Sequence, residues 1–132
     1  MIEVFIANES FLVREGLKVL LNGEKDIKIV GEASNSEELK EKVIACQPDV
    51  LIIDHSGEKF NLKSIGFTGS MLPKTQLLGI THLQPKHKMI RAIEAGVKSH
   101  VLTICSANEI KESVYATAKG EKFFCGTIVE SM

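Results

Sequence analysis

The sequence predicts an α/β domain built on a doubly wound parallel sheet, and three observations predict it. Short apolar runs of strand length alternate five times with stretches of helical periodicity. One of those runs, Val50-Leu51-Ile52-Ile53, is apolar without interruption, as a strand buried on both faces of a parallel sheet must be. That run ends in a carboxylate, Asp54, and in open parallel sheets the chemistry gathers just beyond the carboxyl ends of the strands. The plainer reading of Asp54 is a residue that caps the turn after its strand.

The elements follow in order. Residues 2–7 form the first strand, and Asn8-Glu9-Ser10 is a polar break after it. Val13, Leu17, Leu20 and Leu21 fall on one helical face, with Ser10 as N-cap and Asn22-Gly23 as the stop. Residues 27–30 read as a second short strand. Asn35 with Glu38 has the capping-box spacing, Leu39, Val43 and Cys46 share a helical face, and Pro48 stops that helix. After the strand ending at Asp54 the pattern weakens. Gly57, Gly66 and Gly69 each cost about 1 kcal/mol of helix propensity relative to Ala, so only a short or distorted helix is expected, around residues 61–65. Residues 76–81 are the fourth strand. Pro85 opens a helix buried through Met89, Ile90 and Ile93 and closed by Gly96. Residues 100–103 are the fifth strand. Ser106 with Glu109 is a second capping box, and Ile110, Val114 and Ala118 line the last helix up to Gly120. Five strands with a site at the end of the third predict the flavodoxin-like order 2-1-3-4-5, with right-handed crossovers.

The chain of 132 residues suits one domain. A net charge of −1 gives no electrostatic case for nucleic acid or an anionic membrane, and no apolar run has the length of a span. The first strand begins without a signal peptide. Cys46, Cys105 and Cys125 have no C-x-x-C spacing, and they read as reduced thiols of a cytoplasmic protein. His55, His82, His87 and His100 lack the spacing of a metal motif. His55 reads as a turn residue with its side chain directed away from Asp54, and His82 as an exposed loop residue.

Several stretches resemble response-regulator receiver domains, of the subfamily that carries a LuxR/FixJ-type helix-turn-helix. They are residues 4–17 (VFIANESFLVREGL), residues 29–35 (IVGEASN), residues 48–54 (PDVLIID), Ile80-Thr81, residues 92–96 (AIEAG) and the helix between Ser106 and Gly120. The resemblance spans roughly residues 2–124 and fades between 55 and 73. It implies a switch in which an aspartate takes a phosphoryl group with the help of Mg²⁺. Carried onto this chain, Asp54 is the phosphoacceptor, Thr81 the hydroxyl that bonds a phosphoryl oxygen, and His100 the ring that reports the event. Mg²⁺ would be held by Glu9 and Asp54, by Asn8 through a water, and by the Ser56 backbone carbonyl.

The chain departs from the family pattern in ways that bear on the chemistry. The acid pair after the first strand is Asn8-Glu9, so two carboxylates face the cation where the family has three, and Mg²⁺ binding is expected to be weak. Thr103 stands in place of a lysine, which removes a fixed cation worth a few kcal/mol to the transferring group in sites of this kind. Lys59, in the neighbouring loop, reads as solvated.

Two functions compete. In one, a sensor histidine kinase or a small phosphodonor loads Asp54. In the other, favoured by Asn8 and Thr103, the domain is a pseudo-receiver that pairs with itself or a partner. Neither is enzymatic beyond autophosphorylation of Asp54. A flavodoxin-like cofactor binder is disfavoured, because Glu9 repels phosphate where such a site needs a Gly/Ser/Thr-rich turn. Residues 1–122 are expected to form the receiver-like domain. Residues 123–132 are expected to be a tail that packs or begins a linker to a helix-turn-helix domain, which alone would touch DNA. A homodimer is expected, through the first and fifth helices or the fourth strand and helix.

Overall fold

The computed structural model describes residues 1–131. The chain runs β1 (Ile2–Ala7), α1 (Phe11–Asn22), β2 (Ile27–Ala33), α2 (Ser36–Cys46), β3 (Val50–Ile53), α3 (Leu62–Met71), β4 (Gln76–Thr81), α4 (Lys86–Ala95), β5 (Val97–Leu102), α5 (Ala107–Ala118) and α6 (Gly126–Ser131). The five strands form one sheet in the order β2-β1-β3-β4-β5, and every pairing is parallel. That is the expected architecture.

Alternation along β3 divides the core. Val50 and Ile52 join Val4, Ile6, Leu78 and Ile80 beneath Leu17 and Leu21 of α1 and Val114 of α5. Leu51 and Ile53 join Phe5 and Ala7 beneath Leu39 and Val43 of α2 and Ile65 of α3. All four β3 side chains are buried, each contributing about 1.5–3 kcal/mol of apolar transfer. The strand is thereby held from both sides, and the residue that leaves its end, Asp54, is held with it.

Ser10 caps α1 by accepting from the Val13 N–H at 3.2 Å. Ser106 and Glu109 form the expected capping box of α5. The Asn35 box is only half made. Asn35 accepts from the Glu38 N–H at 2.9 Å, but the Glu38 carboxylate reaches one residue further back, to the backbone N–H and hydroxyl of Ser34.

Four expectations are corrected. The second strand extends to Ala33; Gly31 leaves room there for the Phe5 ring, whose nearest carbon stands 2.7 Å from where a Cβ would be. The fifth strand starts at Val97 rather than His100. Its polar Ser99 hid it, but that hydroxyl is buried and bonded to Thr117 Oγ1 at 2.8 Å and to the Phe123 N–H at 2.9 Å. The third helix is ten residues long rather than a short turn. Asn61 and Ser64 make a capping box, Ile65 and Thr68 are buried, and Gly66 and Gly69 sit on the exposed side. Ile90 is exposed, and Ala92 takes the buried position expected of it beside Met89.

The tail folds back onto the sheet. The His100 N–H donates to the Phe123 carbonyl at 3.0 Å, His100 bridges Phe124 in parallel, and Cys125 and Ile128 enter the core. Met132 lies outside the described residues.

Candidate functional site

The ends of β1, β3 and β4 bring the predicted residues to one edge of the sheet. The Asp54 N–H donates to the Ala7 carbonyl at 3.0 Å, which pins the carboxylate beside the β1 exit. Asp54 is half-buried. Its Oδ1 accepts from the Ser56 N–H at 2.9 Å and from the Ser56 hydroxyl. This is the turn-capping geometry of an Asx turn, and it engages one of the two carboxylate oxygens.

Glu9 is exposed and lies against the same turn. Its Oε1 stands 2.8 Å from where a Cβ on Gly57 would be, so a side chain at 57 would push the carboxylate aside. Asn8 is buried and faces its own loop. Its Oδ1 accepts from the Ser10 N–H at 2.8 Å, and its backbone carbonyl accepts from Arg14 Nη1 at 2.8 Å. Arg14 and Lys18 both pair with Glu32, at 2.9 and 2.6 Å. Those two cations, Lys18 first, hold the Glu32 carboxyl below its ordinary range. Among the described residues, no lysine or arginine forms an ion pair with Asp54.

Thr81 ends β4 fully buried. Its hydroxyl donates to the His82 carbonyl at 2.6 Å and stands 3.2 Å from His100 Nε2. His100 Nε2 in turn lies 3.1 Å from His55 Nε2, the two rings 5.1 Å apart between centroids. These contacts set the protons. The single Thr81 hydrogen goes to a carbonyl, which can only accept. Thr81 therefore accepts from His100, so Nε2 of His100 carries the hydrogen. His55 Nε2 is then an acceptor, and the Nδ1 lone pair of His100 is buried without a partner. Burial first, and then the neighbouring His55, push the His100 pKa down to about 4. Burial lowers His55 as well, partly offset by the Asp54 charge.

His55 is the residue that sequence reasoning missed. Strand alternation would turn it away from Asp54's side, but β3 ends at Ile53, and beyond it the period of two no longer applies. Thr103 is placed near the site but directed elsewhere. Its hydroxyl lies 3.3 Å from Nδ1 of the exposed His82, and its N–H donates to the Thr81 carbonyl at 3.0 Å. Lys59 is an exposed loop residue. Beside the β3–α3 turn a pocket of about 200 Å³ is walled by His55, Ser56 and Gln84, with Lys88 and Arg91 of α4 lining it too.

No family model matches the chain. The response regulator protein VraR of Staphylococcus aureus is 29% identical over 124 residues, which cover 93% of this chain and 59% of that protein. Over nearly its whole length the chain is similar to the receiver part of a response regulator. Solved structures agree on the fold. The isolated receiver domain of RcsB from Salmonella enterica serovar Typhimurium, with the phosphomimetic BeF3−, superposes with a TM-score of 0.90 at 21% identity, covering 99% of this chain and 98% of that one. A LuxR-family response regulator from Aurantimonas sp. SI85-9A1 gives 0.91 at 18% identity, covering 99% and 94%. The chain spans about three fifths of the length of the curated relatives it matches. No helix among its described residues is long and apolar enough to cross a membrane.

The oxygen donors suit a hard divalent cation only in part. Glu9 and Asp54 supply two carboxylates at adjacent loops, but the Asn8 side-chain oxygen is engaged by Ser10.

Proposed function

We propose that this receiver domain is a pseudo-receiver, or at most a weak phospho-switch, within a LuxR-type transcriptional regulator. Its role is to control pairing or output rather than to catalyse a reaction. The observation that carries this reading is the Thr81 hydroxyl. Its hydrogen is given to the His82 carbonyl, and its oxygen is bonded to His100. A phosphoryl group on Asp54 would have to draw that hydroxyl away, which costs the buried Thr81–His100 bond and leaves His55 as the partner of His100 Nε2. With Thr103 bonded to His82, no fixed cation offsets that cost. A divalent cation such as Mg²⁺ would be held by Glu9, Asp54 and the Ser56 carbonyl. It would supply charge neutralisation for phosphoryl transfer.

One observation favours the switch instead. Lys88 and Arg91 line the pocket beside Asp54 and would attract an anionic phosphodonor or the phosphohistidine of a sensor kinase. Pairing with a second copy is supported by an apolar cleft between α1 and α5, of about 250 Å³, lined by Val13, Leu17, Leu20 and Ile110. The exposed Phe11, Leu12 and Val19 also lie on α1. Contact with DNA would belong to a domain outside these residues.

Amide NMR spectra with Mg²⁺ and beryllofluoride, on this chain and on Asp54→Ala, test the reading. At millimolar ligand the expected result is no shift reaching Thr81 and His100. Shifts spreading to both residues, and absent in the variant, would establish a working switch and overturn it.

A further inference from the structure

At the other side of β5, Cys105, Glu109 and Cys125 converge. One ligand atom from each lies within 4.8 Å of the other two. The three come from separate pieces of chain: the turn after β5, the first turn of α5, and the tail segment that bridges β5 at Phe124 before α6. Nothing in the Asp54 site uses them. On a tetrahedral zinc with Zn–S bonds of about 2.3 Å, two sulfurs stand about 3.8 Å apart, so the cluster needs little contraction to close on an ion.

We propose that Cys105, Cys125 and Glu109 form a binding site for a thiophilic divalent cation of the zinc type. Thiolate and carboxylate are donors such an ion takes in preference to Mg²⁺. The protein already orients them. The Leu102 N–H points at Cys105 Sγ at 3.4 Å, a bond that favours a bound thiolate. Glu109 Oε1 is fixed by the Ser106 N–H at 3.2 Å, which holds the carboxylate against the turn that carries Cys105. Cys125 is fully buried, whereas Cys105 and Glu109 are half-buried, so an ion enters past the latter two. The three side chains fill three positions and leave the fourth to water. Binding ties the tail to the β5–α5 corner and releases the thiol protons.

A disulfide between the two cysteines is the competing fate. It would require a two-electron oxidant, and it would consume both sulfurs that the ion needs.

The test is a titration of the reduced protein with Co²⁺, followed by competition with Zn²⁺. One equivalent of Co²⁺ is expected to give sulfur-to-cobalt charge-transfer absorption, which Zn²⁺ abolishes while protecting Cys105 and Cys125, but not Cys46, from alkylation. Cys105→Ser, at a half-buried position, should lose the charge-transfer band. Glu109→Gln should weaken binding at least about tenfold. Cobalt that binds without sulfur charge transfer, or with the same affinity in Cys105→Ser, belongs to another set of ligands and overturns the assignment.

Discussion

His100 concentrates the unusual chemistry of this domain. It sits on β5 with its ring over Gly79 of the neighbouring strand, so closely that a Cβ at Gly79 would fall inside van der Waals contact of its Cδ2. Its Nδ1 is unpaired and its surroundings exclude charge. In the unfolded chain a histidine takes a proton near pH 6.5; in the folded domain His100 does so only near 4. Between those values the unfolded state binds the proton first, so acid favours unfolding. Stability should hold above pH 6.5 and fall as pH drops toward 4, with His55 adding to the loss in the same direction. In His100→Phe the fall should be shallower, as read from denaturant unfolding across that range. An unchanged slope would place the titration elsewhere.

The third helix carries the clearest lesson at the scale of elements. Two glycines in ten residues argued for a broken turn, yet α3 is continuous. Its start is fixed by Asn61, which accepts from the N–H groups of Lys63 and Ser64 at 3.0 and 3.2 Å, while Ser64 returns a bond to the Asn61 N–H. Because the glycines lose helix propensity and no packing, the cap and the buried Ile65 carry the element. Asn61→Ala should cost about 1 kcal/mol of stability, within a range of 0.5–2. It should also raise amide exchange along α3 before the sheet strands. Exchange that stays uniform would mean that packing alone holds the helix.

At the scale of the molecule, the tail is part of the domain's packing as well as a candidate start of a linker. Cys125 and Ile128 are buried in the same core as Leu17 and Val101. The bridge of Phe124 to His100 covers part of the outer edge of β5, which would otherwise present unpaired backbone groups. Removing residues 123–132 should lower the midpoint of thermal unfolding, because it takes Cys125 and Ile128 out of the core and frees the His100 N–H. A truncated chain with an unchanged midpoint would place the domain boundary at 122.

The parallel sheet, its strand order, the burial of β3 and the place of Asp54 at its end were legible in sequence, and each follows from local periodicity, turn residues and the handedness of crossovers. Thr81 and His100 were singled out only through the family resemblance. The missing lysine and the substituted acid were legible too, as departures from a family pattern. What only the tertiary structure decided is where polar groups point. Asn8 turned into its own loop, Thr81 toward His82 and His100, His55 inward, and Cys105 and Cys125 into one cluster. Asn8 is turned by its neighbour Ser10, but the others depend on partners distant in sequence, such as His55 and Thr81 with His100. A buried donor or acceptor must find whichever partner the packed fold leaves within about 3 Å, and that choice exists only once the sheet has closed.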